Sequence, residues 1–153
     1  MKRLKFNATV NAPAPKVYDT MLGLSNKATY EKWTAAFNPT STFKGKWSKG
    51  EKMYFLGSDD KGETGGMISE IADIVPNRYV SIRHYGLLHG DKEITEGPEV
   101  EKWAGGMENY HFEESDGKTT VTIEVDTDDV HVDYMEKAFP KALSTLKGLC
   151  ESK

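Results

Sequence analysis

Histidines, carboxylates and aromatic rings are the parts of this chain from which a reactive or binding site could be built. His84 stands out among the four histidines. In the segment RYVSIRHYG, Val80, Ile82 and His84 fall on one side of a period-two pattern, with Tyr79, Ser81, Arg83 and Tyr85 on the other. His84 thus shares the apolar side, where an imidazole is either a satisfied core residue or a ligand contact. Two carboxylates come from neighbouring segments. In MENYHFEE, Glu108 shares a face with Tyr110 and Phe112, while Asn109, His111 and Glu113 take the opposite one. Glu108 and Tyr110 are therefore expected to point inward and His111 to face water. In GGMISEIADIV, Glu70 falls with Ile68, Ala72 and Ile74, against Asp73 with Met67, Ile71 and Val75. These two faces are nearly balanced, so the pattern leaves the buried one open. A Glu70–His84 or Glu108–His84 pair across neighbouring strands would handle protons, because an unpaired buried carboxylate is costly or becomes protonated. Such a pair requires contact within about 4 Å.

Aromatic and thioether side chains are the second resource. They either fill the interior or, in part, line a pocket for a flat or flexible apolar molecule. The candidate lining is Trp33 and Tyr54 from the first half, and Ile82 with His84 from the segment just described. Trp103, Met107, Glu108 and Tyr110 join from WAGGMENYHFEE, and Met135, Phe139 and Leu143 from the C-terminal stretch. None is assigned a catalytic role.

Several other chemistries lack their signatures. His84, His89, His111 and His131 show no metal-ligand spacing and have no cysteine partner. Gly65-Gly66 begins a strand pattern rather than a phosphate-cradling helix, and no nucleophile elbow is present. The acidic run DTDDVHVD (126–133) lacks the glycine and the closing glutamate of a calcium loop, so it is expected to be a solvated loop leading into a helix cap. No metal and no cofactor is expected. A net charge of -4 without a basic cluster argues against nucleic acid as a partner. The start MKRLKFNATV has no apolar run, so neither a signal peptide nor a membrane span is expected. Cys150 is the single cysteine, which fits a reducing, cytoplasmic setting and a buried small hydrophobe.

These residues need a frame. A chain of 153 residues suits one domain, 1–153. LKFNATV alternates as a strand with one buried face. Pro13 and Pro15 suit the first turn of a helix carrying Val17, Tyr18, Met21 and Leu22, which Gly23 ends. A second helix is predicted over Lys27 to Phe37, with Ser25 or Asn26 as cap and Tyr30, Trp33 and Phe37 on one side. Six strand candidates follow: TFKGKW, EKMYFLGS, GGMISEIADIV, RYVSIRHYG, MENYHFEE and KTTVTIEVDT. Most connections are short turns, which predicts an antiparallel meander; 87–102 is long and charged and is expected to be a flexible loop at the rim. Gly105-Gly106 suggests a bulge or sharp bend. Met135, Ala138, Ala142, Leu146 and Leu149 recur at helical spacing, with Asp133 and Glu136 as a capping box and Pro140 expected to kink that helix or mark its start. Strand, two helices, six strands and a long helix make an α+β fold with the last helix laid on the sheet.

AP-x-KVYDTML, FKGKWSKGEKMYF, GGMISEIADIVPNRYVSI, WAGGMENYHFEESDGKTTVTIEV and FPKALSTLKGLCE together resemble the START-like superfamily, also called the Bet v 1-like or SRPBCC fold. Within it, the chain is similar to the activator of Hsp90 ATPase homologue 1-like family. The resemblance covers essentially the whole chain. It implies a helix-grip fold: a curved seven-stranded antiparallel sheet wrapped on a long C-terminal helix, with two short helices after strand 1 and an apolar cavity between sheet and helix. Members bind lipids, hormones, polyketides or other hydrophobic ligands, and a minority are cyclases or hydrolases. Co-chaperone activity belongs to particular members, and no motif quoted carries it over. Fold alone does not choose among these. The first expectation is a small soluble protein holding a hydrophobic or amphipathic small molecule. The alternatives are an enzyme using His84 and a carboxylate in the same pocket, and an interaction module whose partner is a chaperone.

Overall fold

A computed structural model describes residues 1–101 and 104–151. Strand β1 (Lys2–Val10) leads into helix α1 (Ala14–Leu22). Pro13 caps α1, and Gly23, at φ 69°, ends it in the left-handed conformation that glycine adopts without steric cost. Helix α2 (Lys27–Thr34) is capped by Asn26, whose side chain accepts from the Ala28 N–H. It is three residues shorter at its C-terminus than predicted.

Strands β2 (Thr42–Gly45), β3 (Lys52–Ser58), β4 (Thr64–Val75) and β5 (Tyr79–His89) follow. A short β6 (Lys92–Ile94) and helix α3 (Pro98–Glu101) precede β7 (Met107–Ser115) and β8 (Lys118–Thr127). A 3-10 turn, Asp129–His131, opens helix α4 (Val132–Glu151). The sheet runs β1-β8-β7-β5-β4-β3-β2, with β6 added beside β5. All its pairs are antiparallel. The architecture is the expected α+β helix grip, with an eighth strand. Among the described residues, no helix is long and apolar enough to cross a membrane.

The eighth strand corrects the reading of 87–102 as a flexible loop. β5 continues to His89, turns at Gly90, and returns with Ile94 opposite Leu87. A Cβ at Gly86 would lie 3.0 Å from the Ile94 carbonyl and 3.2 Å from Ile68 Cβ, so glycine is what lets this hairpin fold close. Ile68 and, on α3, Val100 are buried outside the main core. The charged residues that suggested a loop are on the exposed side.

The ambiguity of strand 66–75 also resolves, because β4 and β5 slip twice. Ile68 pairs Gly86 but Ser69 pairs His84, leaving Tyr85 extra; Ile71 pairs Ile82 but Asp73 pairs Ser81, leaving Ala72 extra. Each extra residue changes which side chains share a face. Ile71 reaches the main core, Ile74 packs against it, and Ile68 is buried apart from it. Two apolar surfaces are served by one strand, which is why its pattern looked balanced.

The β7–β8 hairpin turns at Asp116-Gly117, both at positive φ, between paired Ser115 and Lys118. That turn fixes Glu108, Tyr110 and Phe112 against Val125, Ile123 and Val121. Gly105, at φ 87°, makes the expected bend: its N–H donates to the His84 carbonyl at 2.8 Å, and the His84 N–H donates to Gly106 at 2.9 Å.

Helix α4 lies on the sheet through Ala138, Phe139, Ala142, Leu143, Leu146 and Cys150, with Phe139 stacked on Phe6 at 4.6 Å. Pro140 lies inside the helix on its exposed side, not at its start. The Glu136 carbonyl therefore lacks its helical donor and can turn to water. Asp133 is not the cap. The 3-10 turn starts the helical path earlier, and Asp128 caps that turn by accepting from the His131 N–H at 3.0 Å.

Candidate functional site

The first turns of α4 stand away from the sheet and leave a hollow of about 220 Å³. From α2 and the turn after it come Tyr30, Trp33, Thr34 and Phe37; from the sheet come Phe55, Met67, His84, Glu108 and Tyr110; from α4 come Tyr134, Met135 and Phe139. The rings interlock edge to face: Trp33 meets Tyr110 at 6.3 Å and Phe37 meets Phe139 at 4.7 Å. Tyr134 donates its hydroxyl hydrogen bond to the Phe37 carbonyl, tying α4 to the turn after α2. A second hollow of about 250 Å³ shares Met67, His84, Glu108 and Met135 with the first and extends to Leu87, Asp128 and His131. The four shared residues form the neck between them.

A polar chain crosses this neck. Ser69 Oγ lies 2.6 Å from His84 Nδ1, His84 Nε2 lies 3.3 Å from Glu108 Oε1, and the Tyr110 hydroxyl donates to Glu108 Oε2. Burial pushes the Glu108 carboxyl up, but the hydrogen bonds from His84 and Tyr110 and the charge of His84 outweigh it and hold the group below its ordinary value. Glu108 is thus ionised at neutral pH and accepts only, so the proton on Nε2 belongs to the imidazole. Burial, with Glu108 beside it, pushes the Tyr110 phenol well up and keeps it a neutral donor. Tyr30 is raised for the same two reasons, and its hydroxyl meets Ser41. Ser69 is fully buried behind the imidazole and does not line the hollow, so it orients the ring rather than acting as a nucleophile. The chain can position a donor-bearing molecule or pass a proton between His84 and a bound group.

Of the two carboxylates considered for His84, Glu108 is the partner. Glu70 turns away to Arg83 at 2.6 Å. His111 points outward, is 40% exposed, and pairs Glu124 at 2.9 Å. Trp33, His84, Glu108, Tyr110, Met135 and Phe139 converge on the hollow. Ile82 and Leu143 lie in the packed core instead. Tyr54 lies elsewhere: its hydroxyl donates to Glu93, with Lys52 over its ring. Met107 stands opposite Arg83 in the ladder, and its N–H donates to Asp126. Trp103 lies outside the described residues. Sequence reasoning left out Met67 and Ser69, whose face the two bulges disguise, and Tyr134, whose only signal is its place beside Met135. Phe37 was visible in the spacing of Tyr30, Trp33 and Phe37. Among the described residues, no three His, Cys, Asp or Glu side chains converge as metal ligands.

No family model and no curated protein matches the sequence. Solved structures do. Protein NE0264 from Nitrosomonas europaea is similar at a TM-score of 0.72 with 13% identity, over 97% of this chain and 94% of that one. Protein Ms6760 from Mycobacterium smegmatis is similar at 0.69 with 16% identity, over 96% and 89%. The Aha1 dimer from Colwellia psychrerythraea is similar at 0.63 with 18% identity, over 99% and 95%. At these identities the likeness is one of fold: the chain shares its helix-grip architecture with these structures, an Aha1 protein among them.

Proposed function

We propose that this protein binds a small hydrophobic or amphipathic molecule in the hollow between the sheet and the first turns of α4. The observation that carries the reading is the contrast inside the hollow itself. Its walls are mostly rings, thioethers and other apolar groups, and three of its polar side chains, His84, Glu108 and Tyr110, are already ordered into one hydrogen-bonded chain. Ligand sites combine those features: removed apolar area supplies affinity, at about 25 cal/mol per Å² before association costs, and few polar groups fix orientation. Access is between the turn after α2 and the start of α4, where Tyr134 is 43% exposed. The lone buried thiol fits a cytoplasmic binding protein.

A thermal-shift screen against lipids and metabolites tests this. A ligand should raise the melting temperature in the native protein. Met135→Trp, which fills the neck, should abolish that rise while the protein stays folded. If no class of apolar compound shifts the native protein, the reading fails.

The His84–Glu108 contact supports a second reading, an enzyme using this pair as acid and base. It differs in outcome: a bound molecule would be turned over, and His84→Ala would stop turnover while leaving binding. An interaction module, as the Aha1 neighbour suggests, would show neither ligand shift nor turnover and would dock a protein on an exposed apolar patch.

A further inference from the structure

We infer that the hollow selects a ligand whose buried end is neutral or cationic and donates a hydrogen bond, such as an aromatic amine or alcohol, and rejects carboxylates and phosphates. This rests on the binding reading above and narrows it to a chemical class. Glu108 stands at the neck shared by both hollows and keeps 21% of its side chain exposed. His84 and Tyr110 use one acceptor site on each oxygen. A carboxylate has about four such sites, so Glu108 retains capacity for a donor brought in by a ligand.

The charges around it point the same way. Among the described residues lining either hollow there is no lysine or arginine. Asp126, at the far end of the second hollow, is gripped by Arg3 at 2.8 Å, and Asp128 meets His131 at 2.6 Å. Arg3 compensates Asp126 with a permanent charge, whereas Asp128, like Glu108, is faced by a histidine. Glu108 has His84 and a phenol, and no permanent cation. An incoming carboxylate would lose its hydration beside a like charge and gain no fixed counter-ion. A cation would find the opposite: an ionised carboxylate and the aromatic rings of Trp33, Phe37 and Phe55, whose π-electrons attract positive charge. The same rings stack on a flat apolar body.

Three probes sharing one two-ring body decide it: naphthylmethylamine, naphthylmethanol and naphthoic acid, titrated calorimetrically into the native protein at neutral pH. The amine should bind about tenfold or more tighter than the acid, with the alcohol between them. Glu108→Gln keeps the shape of the side chain and removes its charge, so the amine and the alcohol should then bind alike. The comparison of amine with acid in the native protein needs no variant and stands even if Glu108→Gln fails to fold. If the acid binds as well as the amine, the charge inference is overturned and the binding reading survives. If the amine keeps its advantage in a folded Glu108→Gln protein, Glu108 is not the selector and the inference falls. If none of the three binds, this inference falls; whether the binding reading falls with it is decided by the lipid and metabolite screen.

Discussion

Helix α4 grips the sheet in two ways along one length. Its C-terminal half is packed solid: Ala142 and Leu146 are fully buried and Cys150 nearly so, against Val10, Val17 and Met21. Its N-terminal half is open: Met135 is half-buried, Tyr134 is exposed, and a hollow lies beneath them. Small residues on the closed half let helix and sheet approach. On the open half, Met135 and Phe139 line that hollow together with Phe55 and Met67 from the sheet. Stability and binding are therefore assigned to different stretches of one interface.

The largest expected effect breaks the wall of the open half. A Cβ at Gly66 would lie 1.9 Å from the Phe55 carbonyl, a backbone atom that cannot step aside. Gly66→Ala should force β3 and β4 apart and lower stability by about 5 kcal/mol, at the exceptional end for a single substitution, read as a drop in denaturant midpoint. Leu146→Ala in the closed half should cost about 2–5 kcal/mol, because a fully packed site leaves a cavity. Met135→Ala in the open half should cost about 1 kcal/mol or less, since it enlarges space already present. Equal losses at the two positions would erase the distinction.

Glu108 sharpens it through pH. Its folded carboxyl sits below the ordinary 4.5, so its contribution to stability is complete above that value and is lost as pH falls through the lower folded one. Urea midpoints measured from neutral to acidic pH should fall more steeply below about pH 4.5 for the native protein than for Glu108→Gln. Other carboxylates act alike in both proteins, so the difference isolates Glu108. The smallest effect belongs to Cys150. Burial pushes its thiol up, and a disulfide reagent should label it only as fast as the closed half unfolds. Rapid labelling of the native protein would show that half to be loose.

Much of this was legible in residue order. Period-two alternation placed His84, Glu108 and Tyr110 inward and His111 outward, because the Asp116-Gly117 turn and the bend at Gly105 leave β7 in an uninterrupted register. Helical spacing in α2 and α4 placed Trp33, Phe139 and the closed-half residues. Where the chain slips, alternation misleads. Tyr85 and Ala72 shift the ladder, so the faces of Met67 and Ser69 could not be counted from either end. Tyr54 and Met107 looked like cavity residues by type, yet type carries no direction. The 87–102 segment looked like a loop because its charges hide the few apolar residues, Leu87, Ile94 and Val100, that pin it down.

Local periodicity, glycine and proline placement and the turn residues determine the elements of this protein and their order, since those depend on neighbours within a few positions. Which carboxylate meets His84, and where the helix stands off the sheet, depend on two bulges and on side-chain volumes from four separate elements. Only their assembly decided that an ionised Glu108 would face empty space.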